Sequence, residues 1–181
     1  MSERKIREWA LPYVKNKRTY IDIGACDGDT TNPFISEFNR VVAFEPNPSV
    51  FDKISDKAEK YLLGLGAEEQ VLEIVLPNGV EYPEHGSILR FNTEEWKDRP
   101  RVKVNIKRLD DFNFTDVDFI KIDVEHYEMN VCLGAEQTIK KYKPVVMFEN
   151  KRNEADHVLA WFEDLGYKID KRKSDTVAYY E

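Results

Sequence analysis

Apolar residues fall into two rhythms along this chain, and the rhythms alternate. Ile6, Trp9, Ala10, Tyr13 and Val14 recur at helical spacing and predict an amphipathic helix over residues 3–15. Its expected place is over one face or edge of a sheet. Short apolar runs predict strands at 19–23, 41–44 and 61–65. Between them, Phe34, Ile35 and Phe38, then Phe51, Ile54 and Ala58, predict helices over about 30–38 and 49–59. Pro33 is tolerated in a first helical turn, while Pro46 and Pro48 stop the second strand.

The alternation then lapses. The runs VLEIVL and VKVNI read as strands with no helix between them. The turn-rich stretch over about 77–103 predicts a lid or binding loop, because long connections inside a compact domain are usually functional. Order returns with VDFIKIDVE, a near-continuous apolar run that predicts a central strand covered on both faces. A helical region over 127–142, broken at Gly134, leads through Pro144 to a strand at 145–148. A last helix stops at Gly166, and strands at 167–169 and 176–180 predict an antiparallel edge hairpin. Strands and helices alternating at this spacing imply an α/β fold, a doubly wound and mostly parallel sheet flanked by helices.

The length of 181 residues fits one domain, expected to span 1–181. A net charge of -7 argues against bulk nucleic-acid or anionic-membrane binding, since both favour a basic surplus. The two cysteines, Cys26 and Cys132, do not make a disulfide framework, and no run is long enough to span a bilayer. A cytoplasmic protein is the expectation, with its oligomeric state open.

Candidate chemistry clusters at predicted strand ends. IDIGACDGDTT is a strand, a glycine turn and a helix start, with Asp22 before Gly24 and Gly28. Glu45 follows the second strand, near the roughly 20-residue spacing at which an acid can accept both ribose hydroxyls. Asp123 and Glu125 follow the VDFIKI strand. In an open α/β sheet these ends converge on one crevice. A dinucleotide would need a further glycine in the turn, and Asp27 and Asp29 would repel its pyrophosphate. The sulfonium and ammonium of S-adenosylmethionine suit an acid-lined cradle better.

The chain resembles a class I S-adenosylmethionine-dependent methyltransferase, and more narrowly the FkbM family, over about 18–150. The matching segments are IDIGACDGDTT, VVAFEPNP, RLDDF and FIKIDVEHYEMNVCLGAEQTIKKYKPVVMFEN. The resemblance implies a Rossmann-like fold and O-methylation of a hydroxyl on a sugar, glycan or small metabolite. It implies that Asp22, Gly24 and Gly28 hold the methionine part of the cofactor, with Ala25, Asp27 and Thr31 in the same segment. Glu45 would bind the ribose, with Pro46 and Asn47 beside it. Gly66 and Ala67 would lie along the adenine, and Asp123 and Glu125 near the reaction centre. The family usually has glycine where this chain has His126, which places a candidate general base there. His85 is a second candidate base, and His157 is expected to be structural.

Asp123 with Glu149 and Asn150 resembles the acid, then acid-Asn pattern of magnesium-dependent catechol-type enzymes, so magnesium stays an alternative. Tyr82, Phe91 and Trp96 could stack on an acceptor or anchor the loop. Arg99, Arg101, Lys103, Lys107 and Arg108 could meet an acidic acceptor or form the solvent face of a strand. A non-catalytic cofactor-binding domain and a nicotinamide oxidoreductase remain alternatives.

Overall fold

The computed structural model describes residues 1–75, 98, 100–149 and 155–181. The predicted 77–103 loop, with Tyr82, His85, Phe91, Trp96 and Arg99, lies largely outside these residues, as does Asn150.

The chain opens as α1 (Glu3–Lys5), loosens into a π-helical stretch (Ile6–Ala10) and tightens into a 3-10 turn (Leu11–Tyr13). Then come β1 (Thr19–Ile23), β2 (Arg40–Phe44), α2 (Pro48–Phe51), β3 (Glu59–Tyr61), β4 (Gly64–Leu65), β5 (Gln70–Val75) and β6 (Arg101–Lys107). The second half holds β7 (Val117–Ile122), α3 (Glu128–Gly134), α4 (Glu136–Tyr142), β8 (Val145–Glu149), α5 (Ala155–Asp164), β9 (Lys168–Arg172) and β10 (Asp175–Tyr179).

Seven strands form the main sheet in the order β3-β2-β1-β7-β8-β10-β9. The first five are mutually parallel, and β10 runs antiparallel to both β8 and β9. This is the expected doubly wound sheet with its antiparallel edge. The winding reverses between β1 and β7, which is where such a sheet opens a ligand crevice. Alternate residues send the core to both faces. Ile21, Ile23, Phe44, Ile120 and Phe148 pack against Val131, Ile139 and Phe162 of the later helices. Tyr20, Ala43, Phe119 and Met147 pack on the other face against Ile6, Trp9, Phe34 and Ile54. Among the described residues no helix is long and apolar enough to cross a membrane.

Three expected elements differ, each for a local reason. The helix expected over 30–38 is a 3-10 turn, Asn32–Phe34. Pro33 has no N–H to give, the Thr30 carbonyl accepts the Tyr20 hydroxyl at 2.9 Å, and the Thr30 and Thr31 hydroxyls turn inward to Asp22. The helix expected over 49–59 is only α2. Asn47 caps it, but Asn32 then accepts the Ser55 N–H and donates to the Lys53 carbonyl, diverting groups a longer helix would use. The strand expected at 61–65 is split between two sheets. Past Tyr61 the chain turns, and β4 joins β6 and β5 in a separate three-stranded sheet ordered β4-β6-β5. Gly64 permits this, because a Cβ there would stand 2.7 Å from the Ile106 side chain.

The predicted break in the 127–142 helical region falls between α3 and α4. Asp110, within the RLDDF segment, caps the second piece by accepting the N–H groups of Gln137 and Thr138 at 3.1 and 2.9 Å. Arg101 and Lys103 lie on the exposed face of β6, in line with the solvent-face reading of the basic cluster.

Candidate functional site

The carboxyl ends of β1, β2, β7 and β8 face the small sheet across a cavity of about 440 Å³. Its apolar lining includes Phe44, Val50, Leu65, Ile74 and Ile106. Its charged lining includes Asp27, Asp29, Glu45, Asp123, Glu125, Glu149 and Lys121. Its size falls in the roughly 300–1,000 Å³ range of small-molecule sites.

The glycine turn is fixed by backbone bonds. Gly24 and Ala25 both donate to the Phe44 carbonyl, at 2.9 and 3.1 Å. Gly24 has φ +76, and a Cβ on it would lie 2.1 Å from the Asp123 carbonyl oxygen. The turn therefore sits flat against the β7 end, which only glycine allows. Glu45 then clips the turn to β2. Its Oε2 accepts the Cys26 N–H and its Oε1 the Asn47 N–H, both at 2.8 Å. Burial pushes this carboxyl up to about 6, against the lowering effect of those two N–H groups.

Asp22 faces inward rather than into the cavity. It accepts Lys121 Nζ at 2.8 Å and the hydroxyls of Thr30 and Thr31 at 2.9 and 2.7 Å. Gly28, at φ +87, packs against the Asn32 side chain and shapes the turn from behind. Gly66 donates to the Lys107 carbonyl and receives the end of α3. A Cβ on Gly134 would stand 1.9 Å from the Gly66 carbonyl oxygen. Of the residues expected from sequence, the structure brings Gly24, Ala25, Asp27, Glu45, Pro46, Asn47, Asp123 and Glu125 to the cavity wall. Asp22, Gly28, Thr31, Gly66, Ala67 and His126 are not part of that wall.

Glu125 and His126 both have left-handed backbone, φ +51 and +78. That conformation suits glycine, and a bulky residue holds it at a cost. The His126 N–H donates to Glu128 Oε1 at 3.3 Å. Burial, with Glu149 and Asp123 nearby, pushes Glu128 up to about 7. His157 is exposed on α5.

Sequence reasoning missed Lys121, Val50, Gly64, Leu65, Ile74, Ile106 and Tyr127 in this wall. For Lys121 a signal existed. A lysine inside the apolar run of a central strand must have a buried partner. Ile74 and Ile106 carried none, because only the packing of the small sheet brings them here.

The donor set fits S-adenosylmethionine. An acid faces the cavity at the β2 tip, apolar walls suit an adenine, and the acidic end suits the sulfonium and ammonium. A divalent ion fits less well. Asp123, Glu125 and Glu149 offer oxygens within 4.8 Å of one another. However, the Lys121 ammonium already stands 3.9 Å from Asp123 Oδ2.

The sequence matches the methyltransferase FkbM domain over residues 22–169. No curated protein matches it significantly. The fold resembles that of an FkbM methyltransferase from Methylobacillus flagellatus KT, with TM-score 0.62 and 17% identity. That match covers 91% of this chain and 44% of the other, so this chain spans under half of that protein's length. A precorrin-6y C5,15-methyltransferase from Geobacter metallireducens matches with TM-score 0.55 and 13% identity, over 100% of this chain and 90% of that one. An rRNA methylase from Streptococcus thermophilus gives TM-score 0.54 and 11% identity, over 94% and 90%.

Proposed function

The chain belongs to the methyltransferase FkbM domain family, and we propose that its cavity binds S-adenosylmethionine for methyl transfer to a hydroxyl on a sugar or small metabolite. The single observation that carries this reading is Glu45. It is a buried acid at the tip of β2, fastened to the glycine turn, and it lines the cavity. Each of its oxygens keeps a lone pair for a ribose hydroxyl after accepting one backbone N–H.

The cofactor supplies a methyl group already activated on a sulfonium. What remains for the chain is positioning and charge. The apolar wall of Phe44, Val50, Leu65 and Ile106 would hold the base of the cofactor. Asp123 and the acids beside it would offset the positive tail and sulfonium. An acceptor hydroxyl would enter at the Asp123, Glu125 and Glu149 end, where a wall carboxylate would take its proton as the new bond forms. His126 lies next to this end without lining the cavity.

The acidic rim and the net charge of -7 favour a neutral acceptor over a polyanionic one. A labelled-methyl transfer screen over glycans, small hydroxylated metabolites and RNA tests the reading. Transfer to a neutral hydroxyl is the expected result. Transfer to RNA alone would overturn the acceptor class. Cofactor binding without transfer to any acceptor would support a non-catalytic domain instead.

A further inference from the structure

Lys121 is a buried lysine in the middle of the main sheet, and it is 1% exposed. It stands directly across from Asp22 in the parallel register of β1 and β7. Its ammonium donates to Asp22 Oδ1 at 2.8 Å and to the Gly24 carbonyl at 2.9 Å, and it lies 3.9 Å from Asp123 Oδ2. One cation thus joins the floor of β1, the glycine turn and the acid at the end of β7. The other charged or titratable groups near it are Glu45 from the β2 tip and Cys26 from the turn, and the Met1 ammonium meets the same Asp123 Oδ2 at 2.9 Å.

Burying this pair is no gain in stability over a packed apolar pair. An apolar pair, however, could not hold the Gly24 carbonyl. The turn's N–H groups are taken by β2, through the Phe44 carbonyl and Glu45. The Gly24 carbonyl is held from the other side by Lys121. The ammonium therefore fixes the gap between the turn and Asp123, which is the acidic end of the cavity. We propose that Lys121 is the positioning residue for the amino-acid end of the cofactor, acting through Gly24 and Asp123 rather than on the adenosine. The proposal rests on the S-adenosylmethionine reading above.

Two ligands separate this role from a purely structural one. S-adenosylmethionine carries the amino-acid tail, and 5′-methylthioadenosine lacks it. Both are titrated calorimetrically into the wild type, Asp22→Asn, Lys121→Arg and the double variant Asp22→Asn/Lys121→Met, which removes the charge pair together. In the double variant, S-adenosylmethionine binding weakens about tenfold or more while methylthioadenosine affinity stays within about twofold. Asp22→Asn alone, which leaves Lys121 on Gly24, and Lys121→Arg, which keeps a donor, each lose less than the double variant. Equal losses for both ligands, or no loss, would overturn the proposal.

Should the double variant fail to fold, the wild type decides by lysine-selective ¹⁵N labelling. The slowly exchanging ammonium signal of this buried lysine shifts on saturation with S-adenosylmethionine and not with methylthioadenosine. A signal that responds alike to both overturns the role. A wild type that binds methylthioadenosine but not S-adenosylmethionine would remove the cofactor reading itself, and this proposal with it.

Discussion

Glu45 holds the Cys26 N–H with one carboxylate oxygen and the Asn47 N–H with the other, each at 2.8 Å. The acid that faces the cavity is thus also the clip between the glycine turn and the β2 tip. Its loss would remove the proposed ribose contact and the clip together. Glu45→Ala is expected to weaken S-adenosylmethionine binding about tenfold or more, as for charge-assisted bonds. Calorimetry checks this, and unchanged affinity would remove the ribose assignment.

The same carboxyl gives the site a pH dependence. Burial raises it from 4.5 to about 6 in the folded chain. Between those values the folded state holds more protons than the unfolded, so its contribution to stability falls as pH rises to about 6 and is level above. Cofactor affinity moves the other way, because the ionised form accepts the ribose hydroxyls. S-adenosylmethionine should bind about tenfold more weakly near pH 5 than near pH 7.5. Glu45→Gln, titrated at both pH values, isolates this carboxyl from the raised Glu128, and the dependence should flatten in it.

Gly24→Ala combines two penalties. The backbone holds φ +76, and the new methyl would meet the Asp123 carbonyl at 2.1 Å. A loss of about 2–4 kcal/mol in stability is expected from chemical denaturation, with cofactor binding lost as the turn moves off β7. A stable variant with intact binding would contradict the fit of turn to strand.

His126→Gly should act in the opposite direction. It relieves a side chain held at φ +78 and is expected to stabilise the fold by about 1 kcal/mol. Because the proton is assigned to a wall carboxylate, methyl transfer should persist within about threefold. A drop of about 100-fold with cofactor binding intact would give the proton to the imidazole instead.

Much of this was legible in the chain, and the exceptions have physical causes. The central strands were readable because their apolar runs are buried on both faces, and β1 fell where the pattern placed it, Thr19–Ile23. The break between α3 and α4 was readable from Gly134, though not the close Gly66 backbone that leaves no room for a Cβ there. The two shortened helices were not readable, because Asn32 and Asp22 draw hydroxyl and backbone groups out of the helical pattern. Asp22 looked like a cavity acid by its place before the turn. Only the strand register, which sets Lys121 across from it, shows that its charge is spent inside.

Chelation offers a clean contrast. With the Lys121 ammonium already 3.9 Å from Asp123 Oδ2, exhaustive removal of divalent metal should leave S-adenosylmethionine binding and methyl transfer unchanged. Restoration of a lost activity by magnesium alone would contradict this.

The most direct test of the central claim is calorimetric titration of the wild-type chain with S-adenosylmethionine and, separately, with NAD. Asp27 and Asp29 line the cavity beside the glycine turn, where their charge disfavours a pyrophosphate, and Glu45 lines it from the β2 tip. Saturable binding of S-adenosylmethionine and none of NAD is the expected result. Saturable binding of NAD with no response to S-adenosylmethionine would contradict it.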